Sequence, residues 1–268
     1  MLKLLKYEWK ACARICLPLY AAMLLMSVFS ALMTTDAAQD FMNGIPTVIL
    51  VMLYFAMLVA VFVVTAVILI QRFYKNLLGD EGYLMFTLPV TVAQHIWSKV
   101  IVAIAICFLS GIVALLSIGV LGSGTGLFAD IAMLLQQFGH VIATEPNTLG
   151  YMLEGILLLV LSTASGVLYL YLCMALGHLA KKHRVLMSVV WYFVLSTVAQ
   201  FLLSFVLLGV ATGPLQSLAE ALQNLLQGVP QQTMLHGILL GFCFATAIPG
   251  AICYGGTYYV LKNRLNLE

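Results

Sequence analysis

Charged residues are scarce in this sequence, and their scarcity excludes an ordinary soluble domain. Only 8% of the 268 residues are Asp, Glu, Lys or Arg, whereas charged residues make up about a quarter of a typical soluble protein. Hydrophobic residues account for 63% of the chain, and the mean hydropathy is +1.08. We therefore predict an integral membrane protein. The net charge of +2 is too small to indicate a nucleic-acid partner.

Motifs that carry chemistry are also missing. The sequence has no Gly-x-x-x-x-Gly-Lys-Ser/Thr loop for ATP, no His-Glu-x-x-His zinc motif and no Cys/His set with metal-ligand spacing. Its apolar runs contain almost no Asp, Glu, Lys or Arg, which ion-coupled carriers normally place inside the membrane. We predict that the chain is not an enzyme and has no catalytic residue, metal site or cofactor of its own. An ion-coupled secondary transporter is disfavoured but kept as an alternative.

Six apolar runs have the length, or nearly the length, of membrane-spanning helices. A helix needs about 20 residues to cross a hydrocarbon layer of about 30 Å. The runs lack the alternation of barrel strands, and lipid admits only helices or closed barrels. The sequence therefore predicts an all-α integral membrane protein with one transmembrane domain over residues 1–268. The six spans are predicted at 17–33, 47–70, 100–122, 152–180, 185–210 and 236–261.

Residues 1–16 have the pattern of an amphipathic helix that lies in the membrane interface. Leu2, Leu5 and Trp9 fall near helical spacing on one face, and basic residues lie beside them. Lysine and arginine on the polar flank of such a helix favour contact with lipid headgroups. We predict an interfacial helix over residues 1–16, with a solvated lead-in to the first span as the alternative.

The basic residues lie on only one side of the predicted membrane. All twelve Lys and Arg residues fall in segments 1–16, 71–99, 181–184 and 262–268, which six spans place on the same side. The opposite segments, 34–46, 123–151 and 211–235, contain no Lys or Arg. Because cytoplasmic loops carry the excess of Lys and Arg, both termini and segment 71–99 are predicted to be cytoplasmic.

Segment 71–99 contains the most distinctive short stretch. Asp80-Glu81-Gly82 makes a polar break, and Tyr83-Leu-Met-Phe-Thr-Leu88 follows before Pro89. Thr91 and Gln94 have the spacing of a capping box at the start of the next helix. A short apolar stretch outside the membrane needs a partner or the lipid interface. We predict a docking surface, and an interfacial helix that rests on headgroups is the alternative.

Two further features concern the spans and the outer side. Ser196, Thr197, Gln200 and Ser204 recur every three or four residues in the fifth span, which predicts either a helix contact or the lining of a translocation path. Residues 214–228 carry leucine at helical spacing between a Pro and a Gly, which predicts a re-entrant or surface helix within segment 211–235.

Four stretches together resemble the permease subunits of bacterial type-two ABC exporters, especially those of Firmicutes. They are residues 4–10, LLKYEWK, residues 74–91, YKNLLGDEGYLMFTLPVT, residues 177–186, GHLAKKHRVL, and residues 261–268, LKNRLNLE. The likeness extends along the whole chain and is most specific at 74–91. It implies that the N-terminal helix is an elbow helix and that segment 71–99 contains a short cytoplasmic coupling helix.

The resemblance also implies partners. A permease of this kind lies in the bacterial cell membrane and pairs with a second permease copy or a homologous permease. It works with two copies of a separate ABC ATPase, which bind ATP and Mg²⁺. The cargo would be amphipathic or hydrophobic: a peptide, antimicrobial, drug or lipid. A non-transporting scaffold or sensor subunit is the other alternative. The residues that the resemblance assigns to ATPase coupling are Asp80, Glu81, Tyr83, Leu84, Met85, Phe86 and Leu88.

Overall fold

The computed structural model consists of long helices. It describes residues 2–33, 45–78, 90–123, 132–133, 136–137, 139–140, 147–180, 183–213, 217, 221 and 230–263. The helices are α1 (Leu2–Met33), α2 (Ile45–Phe73), α3 (Val92–Gly122), α4 (Thr148–His178), α5 (Arg184–Thr212) and α6 (Gln231–Asn263). A single π-helical turn, Tyr74–Leu78, follows α2 directly. No strand occurs in the described ranges, so the all-helical prediction is confirmed there.

Each of the six helices is long and apolar enough to cross a membrane. The six predicted spans are therefore confirmed by length and composition. The helices are longer than the apolar runs that predicted them, because helical hydrogen bonding continues into polar residues that hydropathy does not count. Helix α3 shows this, since it begins at Val92 whereas its apolar run begins at Val100.

The start of α3 confirms the predicted capping box. Thr91 Oγ1 accepts a hydrogen bond from the Gln94 backbone N–H at 3.4 Å, and the Thr91 N–H donates to Gln94 Oε1 at 3.2 Å. The two bonds give partners to the backbone N–H groups of Thr91 and Gln94, which the start of a helix otherwise leaves without acceptors. This cap defines the N-terminus of α3.

The N-terminal residues form one helix with the first span. Helix α1 runs without interruption from Leu2 to Met33 and includes Pro18. A separate interfacial helix over residues 1–16 is therefore not confirmed. With a rise of 1.5 Å per residue, 32 residues extend about 48 Å, which exceeds a hydrocarbon layer of about 30 Å. One end of α1 therefore extends beyond the hydrocarbon.

The chain divides into two compact units, and each is described here by itself. The first contains α1, α2 and α3, and the second contains α4, α5 and α6. One domain over residues 1–268 stays a prediction. The first unit has a core of buried side chains from all three of its helices, and α1 contributes residues at successive spacings of four, four and three. The core residues are Cys12, Cys16, Tyr20, Met23, Val61, Ile68, Val102, Ile106, Val113 and Ala114.

Hydroxyl groups inside the first unit bond across its helices. The Ser110 hydroxyl donates to the Ile106 carbonyl at 2.9 Å, which leaves its oxygen free to accept from the Tyr20 hydroxyl at 2.6 Å. Thr65 lies 3.3 Å from the same Ser110 oxygen. Ser110 thus joins α1, α2 and α3 at one buried point. Such interhelical bonds stabilise membrane bundles, where lipid offers no substitute partner.

In the second unit, glycines allow α6 to approach α4 closely. A Cβ atom on Gly256 would lie 2.8 Å from Leu172 Cδ1, and one on Gly250 would lie 3.3 Å from the side chain of Ser165. Helix α5 is held to α4 by the Tyr169 hydroxyl, which donates to the Tyr192 carbonyl at 2.9 Å. Small residues at helix contacts are typical of membrane bundles, because they let backbones come together.

We expect Ser110→Ala to lower the free energy of unfolding by about 1 kcal/mol, since it removes the oxygen that three helices share. Reversible unfolding of the purified chain in mixed micelles would measure this. Ser162→Ala is the matched control, because the exposed Ser162 hydroxyl bonds only to the Leu159 carbonyl of its own helix. Equal losses for the two variants would contradict a joining role for Ser110.

Candidate functional site

The predicted coupling residues lie outside the described part of the chain. They are Asp80, Glu81, Tyr83, Leu84, Met85, Phe86 and Leu88. Their proposed contacts, and the coupling helix that would carry them, stay predictions. The same holds for most of segment 211–235, which is predicted to lie on the outer side. The structure does describe the residues on both sides of segment 79–89, up to Leu78 and again from Val90.

A network of charged and amide groups joins those two sides to α1. Its centre is the carboxylate of Glu8. Glu8 Oε1 lies 2.6 Å from Lys99 Nζ, and Glu8 Oε2 lies 3.0 Å from Arg72 Nε. The side-chain amide of Asn76 donates to Oε1 at 3.3 Å. We call Glu8, Arg72, Asn76 and Lys99 the Glu8 network.

The Glu8 network is buried, which makes its pairing energetically necessary. The exposed fraction of the side chain is 7% for Glu8 and 4% for Lys99, whereas it is 23% for Arg72. Removing a charge from water costs several kcal/mol unless an opposite charge and hydrogen bonds compensate. Both carboxylate oxygens of Glu8 are compensated in this way. With two cations and one anion, the network carries one excess positive charge, and the partly exposed Arg72 can share it with solvent.

Helical spacing explains how α1 presents Glu8 to the network. Glu8, Cys12 and Cys16 are four residues apart and therefore lie on the same face of α1. Both cysteines are buried as free thiols in the core of the first unit. The packing of this face therefore also directs Glu8 inward.

The π-helical turn after α2 positions two members of the network. Arg72 lies at the end of α2 and Asn76 lies inside the turn, and both contact Glu8. Phe73 and Leu77, next to them in the chain, are fully buried and anchor the turn. Turns of this kind are rare and are often found at functional sites. Here the end of α2 supplies a cation and the turn supplies an amide to the same carboxylate, just before segment 79–89 begins.

Lys99 supplies the contact from the other side of segment 79–89. It lies in the third turn of α3, between the fully buried Ile96 and Val100. Its ammonium group also lies 3.5 Å from the Arg72 carbonyl at the end of α2. The helix before the segment and the helix after it are thus both fastened to α1 through one carboxylate.

The polar stripe of the fifth span lies on α5. Thr197, Gln200 and Ser204 are exposed, and Ser196 is partly exposed. Within the described part of the chain, the structure gives the Gln200 side chain no hydrogen bond. The apolar window of α5 contains no buried residue. Both predicted roles, a helix contact and the lining of a path, therefore stay predictions.

A second polar pair lies in the second unit. Glu154 Oε1 is 2.8 Å from His236 Nδ1, and the Tyr151 and His236 rings stack with their centroids 4.2 Å apart. The Tyr151 hydroxyl donates to the Gln232 carbonyl at 3.0 Å. This pair joins the first turns of α4 to the first turns of α6. Among the described residues, no group of three His, Cys, Asp or Glu side chains is placed to hold a metal ion.

Sequence reasoning missed the Glu8 network. The charge pattern uses Arg72 and Lys99 only to indicate topology, and it assigns Glu8 no role in a site. One signal was present: Glu8 is the single acid among the first 35 residues, in a segment with four basic residues. A lone acid there favours an ion pair. The sequence does not indicate that its partners come from α2 and α3.

The excess positive charge of the network gives a prediction about stability. We expect Glu8→Gln to lower the free energy of unfolding by about 3–5 kcal/mol, because two cations would remain without an anion. Lys99→Gln should cost only about 1–2 kcal/mol, since Glu8 keeps Arg72. Equilibrium unfolding of both single variants and the double variant would give the coupling energy.

Lys10→Gln serves as the control for this comparison of the two single variants and the double variant. Lys10 is exposed on the same helix as Glu8 and has no ion pair with a described residue, so its loss should change the stability by less than about 0.5 kcal/mol. A Glu8→Gln variant no less stable than Lys99→Gln would contradict the charge balance described above.

Comparison with known proteins gives no family for this chain. No protein-family model matches it, and neither a curated protein nor a solved structure matches it significantly. The resemblance to ABC permeases therefore stays a resemblance of short motifs. A functional proposal depends on the spans, on the distribution of charge and on the geometry of the Glu8 network.

Proposed function

We propose that this chain is the transmembrane permease subunit of an ATP-driven ABC exporter in a bacterial cell membrane. Both termini would be cytoplasmic, as the one-sided distribution of Lys and Arg favours. The functional unit would contain a second permease and two copies of a separate ATPase that bind ATP and Mg²⁺. The observation that carries the proposal is the Glu8 network, because it fastens both sides of the proposed docking segment to a third membrane helix.

In the proposed mechanism, the ATPase binds the segment between α2 and α3. Tyr83, Leu84, Met85, Phe86 and Leu88 would enter an apolar groove on the ATPase, while Asp80 and Glu81 would make polar contacts at its edge. Closure of the paired ATPases on ATP would then pull this segment. The chemistry of hydrolysis would take place entirely on the partner.

The Glu8 network would determine which helices move when the ATPase pulls on the segment. If α2 and α3 were connected only by the segment, a force on the segment could separate their ends. With Arg72, Asn76 and Lys99 on one carboxylate, separating the helices would break buried ionic bonds, which is costly. The three helices of the first unit would therefore move together, as rigid-body rearrangements require.

The proposed cargo is amphipathic or hydrophobic. The described spans contain few charged side chains that could bind an ionic substrate. Ser196, Thr197, Gln200 and Ser204 provide a mild polar stripe on an otherwise apolar helix, which suits either a cargo with both characters or a helix of the second permease.

The proposal is tested first at the docking segment. We expect a P-loop ATPase to copurify in stoichiometric amount with the wild-type chain in mild detergent, and to be lost with Phe86→Asp, because a carboxylate would be forced into an apolar contact. Thr87→Asp is the matched control, since it introduces the same charge at the one position between Tyr83 and Leu88 that is not a proposed contact. It should retain the ATPase.

Three outcomes would contradict the proposal. The first is a folded wild-type chain that brings no ATPase. The second is transport that persists without an ATPase and collapses when the ion gradient is dissipated, which identifies a secondary carrier. The third is a bound ATPase with no movement of any cargo, which identifies a scaffold or sensor subunit.

The Glu8 network gives a separate test of coupling. Lys99→Gln should retain the ATPase, because the docking segment is unchanged, but should lower cargo-stimulated ATP hydrolysis about tenfold or more, which corresponds to about 1.4 kcal/mol. Hydrolysis by reconstituted complexes with and without cargo would measure this. Unchanged stimulation would remove the network from the coupling mechanism.

A further inference from the structure

Helices α1 and α3 form an open apolar groove on the first unit. Leu5 and Trp9 line it from α1, and Ile101, Val102 and Ala105 line it from α3, with a volume of about 240 Å³. Among the described residues that line it, only Lys6 is charged. We call this feature the α1–α3 groove.

The α1–α3 groove lies where the apolar part of α3 begins. The apolar run of α3 starts at Val100, so Ile101 to Ala105 belong to the outermost hydrocarbon turns at that end of the helix. Trp9 is 40% exposed and Ile101 is 43% exposed, which makes the groove accessible from the lipid side. Tryptophan is enriched at the boundary between headgroups and hydrocarbon. We therefore expect the groove to extend from the headgroup level into the acyl-chain level.

The exposed charged residues on this part of α1 are all basic, and they can bind an anion. Lys6 is exposed at the groove, and the structure gives it no ion pair with a described residue. Lys3, Lys10 and Arg14 are also exposed on α1. The acid nearest to them in the sequence, Glu8, is buried and already pairs with Lys99 and Arg72. No described carboxylate in this segment competes for Lys6.

We infer that the α1–α3 groove binds an anionic phospholipid, with an acyl chain along the apolar lining and the phosphate of the headgroup against Lys6. Apolar lining alone would accept any lipid tail. Lys6 supplies the charge complementarity that favours an anionic headgroup over a zwitterionic one. The site does not depend on the proposed transport function, since it requires only the membrane and the described part of α1 and α3.

Trp9 provides a direct probe of this site. The other two tryptophans, Trp97 and Trp191, can be changed to Phe so that Trp9 is the only one in the full chain. The chain is then reconstituted into neutral phosphatidylcholine vesicles that contain a small fraction of phosphatidylglycerol or phosphatidylcholine with brominated acyl chains. We expect phosphatidylglycerol to quench Trp9 at roughly fivefold lower mole fraction, the preference that one lysine near the surface provides.

Four variants and one soluble competitor separate the groove from general surface charge. Lys6→Ala should abolish the preference and Lys6→Arg should keep it, whereas Lys10→Ala, outside the groove lining, should retain most of it. Ala105→Phe should weaken quenching by both brominated lipids, because its ring would occupy the groove. Glycerol 3-phosphate, which has the phosphate but no acyl chain, should not compete.

The inference is overturned by equal quenching from the two lipids, by a loss in Lys10→Ala as large as that in Lys6→Ala, or by competition from glycerol 3-phosphate. Native mass spectrometry of the wild-type chain with mixed lipids gives a second measurement that does not alter any tryptophan. Retention of phosphatidylglycerol by wild type and its loss in Lys6→Ala would support the site, and equal retention would overturn it.

Discussion

The carboxylate of Glu8 accepts bonds from two cations and one amide in a place where water cannot replace them. The geometry of the first unit depends on this interaction. Helix α1 must align its core face so that Glu8 points inward, α2 must end in a π-helical turn so that Asn76 reaches the carboxylate, and α3 must bury Lys99. Because a buried charge without a partner is costly, a change in any one of these helices is opposed by the other two.

The network also gives two basic residues a second role. Arg72 and Lys99 contribute to the asymmetry from which the orientation was predicted. In the structure they are structural cations that pair with Glu8. The remaining Lys and Arg residues still lie in the same predicted segments, so the predicted orientation does not depend on these two. A positive charge near the end of a span can therefore serve topology and packing together.

Much of the fold could be predicted from the sequence, whereas the site could not. Hydropathy predicted the six helices, and the spacing of Thr91 and Gln94 predicted the cap of α3. Both predictions succeeded because they depend only on residues that are close together in the chain. Continuous α1 was missed, since hydropathy does not report a helix that continues through basic residues. The Glu8 network joins residues 64 and 91 positions apart. No local pattern specifies such pairings, and they follow only from the packing of three helices.

The Glu8 network and the α1–α3 groove are formed by the same pair of helices. Glu8 and Lys99 join α1 to α3, while Lys6 and Trp9 on α1, with Ile101 on α3, face the groove. A lipid in the groove would add contacts to both helices in the arrangement that the ion pair already favours. By linkage, a ligand that binds only this arrangement stabilises it, and the stabilisation grows with the ligand's concentration relative to its Kd. Membrane composition and the proposed ATPase would therefore act on the same contact. Lipid binding would strengthen this contact, and the ATPase would move both helices together.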